Sequence, residues 1–161
     1  MNEPAIRDPL ENEMPKLAKL WHDSWHEAHD DLVPVALCRI RTLESFSERI
    51  SHRFHDLRAS GPLGAPDGFC IIDGDELDQL FVAPQARGTG VAARLMADAE
   101  MRMNAKGVEI AWLACAIGNM RAARFYEKCG WQLARTQTVE LKGAGGGFPL
   151  EIWRYEKRLA G

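Results

Sequence analysis

The sequence predicts an α+β arrangement within the α/β class: a mixed, mostly antiparallel central sheet with one parallel strand pair at its centre, flanked by helices. Three observations carry that expectation. Residues 14–54 read as successive helix-period segments. Residues 55–82 hold short β-like runs split by the turn stretches GPLGAPDG and DGD. A long helix-period segment then separates the run LDQLFVAP from the almost wholly apolar run IAWLACAI. A meander is antiparallel, whereas strand, helix and doubly covered strand make a right-handed parallel crossover, so one sheet must contain both kinds of pairing.

Each element has its own signal. A short strand is expected near residues 5–7. Residues 14–29 have helical spacing, with Leu17, Leu20, Trp21 and Trp25 forming an apolar stripe and Asn12 placed to cap it. Val35, Leu37, Cys38 and Ile40 mark a short helix after Pro34, and a third helix is expected over residues 44–54. Strands are expected at 55–59, 69–72 and 77–82. The helix from Thr89 or Gly90 to Lys106 places Val91, Leu95, Ala99 and Met103 on one face, and Gly107 can take the left-handed conformation beyond its end. Residues 109–117 form the doubly covered strand. Residues 119–129 form a helix capped by Asn119 and stopped at Gly130. Residues 131–141 and 150–157, joined by the glycine-rich GAGGGFP, close the sheet as an antiparallel hairpin.

Length and charge bound the function. The 161 residues suit a single domain, 1–161, with a mainly helical region at 1–54 and a sheet core at 55–158. With 20 basic and 23 acidic side chains, nothing forecasts nucleic-acid binding. Cys38, Cys70, Cys115 and Cys129 lie far apart in apolar runs without a CxxC pair, as expected of reduced thiols in a cytoplasmic protein. The start MNEPAIRDPL has no basic and apolar leader pattern, and no apolar stretch is long enough to span a bilayer, so neither secretion nor membrane insertion is expected.

The stretch QARGTG, residues 85–90, carries the chemistry. A strand that ends in a glycine turn and enters a helix offers unpaired N–H groups and the positive end of the helix dipole to an anion. A phosphate loop of the GxxxxGK[ST] kind lacks its lysine and hydroxyl after Gly90. A dinucleotide fingerprint matches as Gly88, Gly90 and Ala93, but Ile117 and Gly118 stand where a ribose-binding acid belongs, and Glu76 and Asp78 sit in a strand that should be buried on both faces. The remaining pattern, Gln85 and then Gly88-x-Gly90 directly after a strand, resembles the first cofactor motif of the GCN5-related N-acetyltransferases. GDELDQLFVAPQARGTGVAARLM is similar to that family's strand, loop and helix, and NMRAARFYEKCGW to its second motif; the resemblance covers about residues 55–158.

The resemblance implies acetyl-coenzyme A as co-substrate and no metal. Its pyrophosphate would meet Gln85, Arg87, Gly88, Thr89, Gly90 and Val91. The backbone of Leu80, Phe81 and Val82 would take the pantetheine arm, with Asn119, Ala122 and Tyr126 along its other side. It further implies direct attack by an amine, with Tyr126 as the acid that protonates the departing thiolate, an amide near Val82 polarising the carbonyl, and Glu76 as base, acting through water. Asp78, on the same strand face, is the reserve. The acceptor, a small-molecule or peptide amine, must be read from the variable N-terminal third. His22, His26 and His29 fall on one helical stripe, yet HEAH is one residue short of the HExxH spacing, so a substrate wall or polar face is expected rather than a metal site. Trp21 and Trp25 are expected in the core, and with Glu27, Asp30 and Asp31 they form the candidate aromatic and acidic mouth. A catalytically silent acyl-coenzyme A sensor is the alternative to an enzyme. The edges of the closing hairpin make a homodimer a family-level expectation.

Overall fold

The structure is a computed structural model that describes residues 5–143 and 146–159. In chain order it holds β1 (Ile6–Arg7), α1 (Met14–His29), α2 (Val35–Ile40), α3 (Leu43–Arg53), β2 (Leu57–Ser60), β3 (Gly68–Asp73) and β4 (Glu76–Val82). α4 (Val91–Ala105), β5 (Ile110–Ala116), α5 (Met120–Lys128), β6 (Gln132–Gly143) and β7 (Gly146–Arg158) follow. The strands form one sheet in the order β1-β2-β3-β4-β5-β7-β6, antiparallel except for β4 against β5. The expected parallel pair therefore sits mid-sheet. β7 is paired on both sides, so within the closing hairpin only β6 presents an edge. The tip of that hairpin, residues 144–145, lies outside the described residues.

Two apolar clusters sandwich the sheet. On one face Leu95, Met96, Ala99 and Met103 of α4 meet Leu77, Leu113 and Cys115. On the other, Trp21 of α1 and Phe46 and Ile50 of α3 meet Leu57, Phe69 and Ile71. Trp21 is fully buried, its ring 5.1 Å from Phe46 and 5.5 Å from Phe69. Cys70 and Cys115 are buried as expected, whereas Cys38 and Cys129 are only half-buried.

The start of α1 departs from expectation. Asn12 is not its cap: residues 11–13 form a single 3-10 turn, and the buried Glu13 carboxylate accepts from the Leu10 N–H at 2.7 Å and the Gly64 N–H at 3.0 Å. It also takes both Arg7 guanidinium nitrogens, at 2.9 and 2.7 Å, which with burial opposing holds its carboxyl down at about 2. A glutamate three residues beyond Leu10 thus fills the capping role and ties α1 to β1 and to the β2–β3 loop. The strand expected at 55–59 starts two residues late because residues 54–56 form another 3-10 turn.

Two irregularities in β4 position the cavity. Ile71 pairs with Gln79 and Ile72 with Leu77, leaving Asp78 as an extra residue, a β-bulge that strengthens twist and bends the strand. Before it, β4 and β5 pair at Glu76 and Trp112 alone, so the two strands part toward their C-terminal ends.

Candidate active site

Where β4 and β5 part, a cavity of about 510 Å³ runs through the sheet from the start of α4 to the β6–β7 hairpin. At the α4 end the chain leaves β4 through a 3-10 turn, residues 84–86. It extends at Arg87 and then takes positive φ at Gly88 (78°) and Gly90 (88°) before α4 begins. L-residues with a Cβ rarely adopt that conformation, so glycine is required at both places. A Cβ built on either glycine meets no protein atom within 4 Å, so both backbones face open space. No side chain caps α4 and its first turn holds no acid, which leaves its leading N–H groups open to an anion.

Of the turn residues, Ala86, Arg87, Gly88 and Gly90 line the cavity. Gln85, Thr89 and Val91 do not: Gln85 is exposed, the Thr89 hydroxyl turns back to donate to the Ala86 carbonyl, and Val91 is buried under α4. Arg87 is also already engaged. Its two nitrogens donate to the Glu27 carboxylate at 2.8 and 3.2 Å, and Arg121 reaches the same carboxylate at 3.5 Å. Glu27, on α1, therefore bridges the anion turn and the start of α5, and the two arginines hold its pKa below the ordinary value.

Leu80, Phe81 and Val82 line the middle of the cavity, facing Asn119, Ala122 and Tyr126 across it. The Asn119 side chain accepts from the Ala122 N–H at 3.3 Å and so caps α5 as expected. Ala123, next to Ala122, is buried in the α4-side core. Tyr126 sits at the base of α5 with its ring 5.8 Å from Tyr155. Burial, and then the neighbouring Cys115, Cys129 and Tyr155, push its hydroxyl well above the ordinary value, so it keeps its proton over the whole working range. Cys115, pushed up to about 12 by burial, lines the same region and was not singled out from the sequence.

Glu76 and Asp78 line the cavity together. Burial pushes the Glu76 carboxyl up to about 8, reinforced by Asp78, Asp73 and Asp75 and opposed by Arg154. Asp78 is raised for the same first reason, with Arg49 and Arg53 pulling the other way. Such a carboxyl titrates where an amine acceptor has to lose its proton.

The acidic mouth expected from the N-terminal third is rearranged. Trp25 lines the cavity but Trp21 is wholly core. Glu27 is held by Arg87 and Arg121, and Asp30 by His26 Nδ1 at 2.6 Å, leaving the acids at this end to β4. Each histidine of the stripe has a partner of its own: His22 with Asp23, His26 also with the Arg41 carbonyl, and His29 Nδ1 with the Trp25 carbonyl. Of the three only His29 reaches the cavity, where burial lowers its pKa and keeps it neutral.

A model of the Acetyltransferase (GNAT) family matches residues 25–131, which include the α4 turn, the parted strands and α5. An uncharacterized N-acetyltransferase of Mycobacterium tuberculosis (strain H37Rv) is 37% identical over 75 residues, 44% of this chain and 48% of that protein, so the match spans about half of that relative's length. The peptidyl-lysine N-acetyltransferase YjaB of Salmonella typhimurium is 26% identical over 160 residues, covering 90% of this chain and 93% of that one. Among solved structures, a GCN5-related N-acetyltransferase of Rhodopseudomonas palustris superposes with a TM-score of 0.76 at 23% identity, covering 99% of this chain and 98% of the other. The PaiA N-acetyltransferase of Thermoplasma acidophilum, in complex with coenzyme A, gives 0.72 at 18% identity over 98% and 99%.

Proposed function

The chain belongs to the GNAT family of acetyltransferases, and on that premise we propose that it moves an acetyl group from acetyl-coenzyme A to a primary amine by direct attack. The observation that carries this reading is that one cavity joins the uncapped start of α4 to Glu76 and Tyr126. An anion turn, a base and an acid thereby share one space. The vacant space over Gly88 and Gly90 and the acid-free first turn of α4 fit a pyrophosphate.

The thioester supplies an activated acetyl carbon and a sulfur leaving group. The chain supplies the rest. Ionised Glu76 takes the proton of the incoming ammonium, directly or through one water, and leaves a neutral nucleophile. Backbone amides along Leu80–Val82, released from β5 by the parting of the strands, serve the pantetheine arm and the carbonyl oxygen as it gains charge. Tyr126 gives its proton to the sulfur as the carbon–sulfur bond breaks, and recovers one as the new amide nitrogen sheds its second. Asp78, also buried at the bulge, adds to the effect of burial in keeping the Glu76 pKa high.

The reading is tested by following acetyl-coenzyme A-dependent thiol release with primary amines, alongside the shift in melting temperature that acetyl-coenzyme A alone produces. A ligand bound only by the folded state raises that temperature with the logarithm of its concentration. A shift with acetyl-coenzyme A, none with NADH, and amine-dependent release support the proposal. Release that no amine stimulates would reduce the protein to an acyl-coenzyme A binding module.

A further inference from the structure

Resting on the acetyl-transfer reading, we propose that the acceptor is a monoamine carried on an apolar body, an arylalkyl or alkyl amine without a carboxylate.

The end of the cavity away from α4 is walled by side chains from separate elements. Val33 and Leu37 come from α2 and the loop before it, Trp25 from α1, and Leu141, Leu150 and Ile152 from the β6–β7 hairpin. Leu141 and Leu150 also pack against the core cluster that contains Trp25 and Leu37, so the hairpin closes on the helices and gives the pocket walls on both sides. Apolar walls of this kind reward an apolar body and penalise each polar group that enters without a partner.

Charge selects within that class. The acids that face this space are Glu76 and Asp78, with Asp73 and Asp75 close enough to act on Glu76. The cations among the described lining residues are Arg87 and Arg121, and Glu27 holds both at the α4 end. Arg49, behind Asp78, stacks its guanidinium 4.2 Å over the Trp21 ring outside the lining. An ammonium group is therefore matched by the two β4 carboxyls, whereas a carboxylate on the same substrate meets like charge as they ionise and, among the described lining residues, only cations that Glu27 already engages, since Arg154, Arg49 and Arg53 act on the two acids from outside the lining. A polyamine would carry its second charge into aliphatic walls, and a peptide lysine would bring its main-chain amides against them.

The test compares kcat/KM for 2-phenylethylamine, phenylalanine, spermidine and a lysine-containing peptide by thiol release, with the acetyl-coenzyme A melting shift measured on the same preparation. The expected result is that 2-phenylethylamine exceeds phenylalanine by about 10²-fold, the cost of burying a like charge beside the acids, and also exceeds the other two. Leu150→Lys places a cation on the half-buried hairpin wall, and is expected to shrink the ratio of 2-phenylethylamine to phenylalanine by about tenfold or more. Its melting temperature without ligand checks that it has folded. If acetyl-coenzyme A binds but phenylalanine, spermidine or the peptide is preferred, or 2-phenylethylamine is not acetylated, this inference fails while the cofactor reading stands. If acetyl-coenzyme A gives neither a melting shift nor thiol release, the acetyl-transfer reading itself fails and takes the inference with it.

Discussion

The stretch Arg87–Gly90 lines the α4 end of the cavity and Asn119, Ala122 and Tyr126 its middle, whereas α1, α2, β4 and both strands of the hairpin supply walls to the opposite end. The first end works through backbone amides, two positive-φ glycines and an uncapped helix start. The second works through packed side chains. A site made of amides asks only that a Cβ be absent and an acid be missing. A site made of packed side chains changes its preference with any one of them, and the two carboxyls of β4 stand at the junction. On the proposed function, the α4 end would take the fixed, anionic ligand and the hairpin end would tell one amine from another.

The sharpest break in that division is at Tyr126, which belongs to α5 but, on the proposed function, acts at the junction. Tyr126→Phe nearly conserves volume and leaves the ring beside Tyr155. Loss of a general acid is worth roughly 10²- to 10⁴-fold in rate, about 3 to 5 kcal/mol of barrier. Turnover should fall by that amount at almost unchanged acetyl-coenzyme A affinity, with thiol release and calorimetry run on one preparation. An affinity loss that matched the rate loss would assign the hydroxyl to binding.

Glu76→Gln comes next and separates activity from stability. The wild-type rate should climb as Glu76 ionises through about pH 8, and the variant should lose that limb, with a deficit on the order of 10²-fold near pH 8 to 9 that narrows as the amine loses its proton unaided. Stability runs the other way. The folded state favours the neutral carboxyl, so the contribution of Glu76 is fully present below the ordinary carboxylate pKa and is lost as pH rises to about 8. The variant has no such loss. Its melting advantage should grow from pH 5 to pH 8, reaching a few degrees, and then level off, read by calorimetric scans at stepped pH. A uniform small activity loss with no pH-dependent stabilisation would make Glu76 a surface carboxylate.

Gly90→Val tests the α4 end alone. A Cβ at this position meets no protein atom within 4 Å, so the main expected cost to the fold is the left-handed backbone, about 1 to 2 kcal/mol, while the valine branches occupy the space proposed for phosphate. The acetyl-coenzyme A melting shift should vanish in a chain that still unfolds cooperatively. A surviving shift would move the anion site elsewhere.

The contrast between the two ends also explains what could be read from the sequence. The α4 turn and the α5 face each lie within one segment, where local spacing marks Gly88 and Gly90 in the one and Asn119, Ala122 and Tyr126 in the other, and the resemblance to the family's two motifs is what joined them. The element order and the parallel pair were legible for the same reason, since turn chemistry and a doubly apolar β5 are local signals. The Glu27 bridge to Arg87 joins residues 60 apart in sequence, and no periodicity announces it. The bulge at Asp78 leaves no mark in DELDQLFV, although it bends β4 where the strands part. Asn12 looked like a cap by residue type, but Glu13 had the reach to satisfy three partners. The hairpin end was illegible because its character comes from α2 and β6–β7 meeting, a tertiary event.

The smallest expected effect joins the two ends. Glu27 stands on α1, whose other residues wall the acceptor side, yet its carboxylate holds the two cations that line the anion turn. An exposed pair of this kind contributes about 0 to 1 kcal/mol, little enough for an arriving polyphosphate to displace. Displacement leaves the carboxylate near the incoming negative charge, so its presence weakens binding both by occupying Arg87 and by repulsion. Glu27→Gln should therefore tighten coenzyme A by about three- to tenfold, up to about 1.4 kcal/mol, with the gain largest at low salt. Calorimetric titration in about 50 mM and about 500 mM salt should show the difference between variant and wild type shrinking at the higher concentration, since screening falls on exposed charges first. Weaker binding in the variant would mean that Glu27 aims Arg87 at the phosphates instead of withholding it, and α1 would then be part of the cofactor site as well as the acceptor wall.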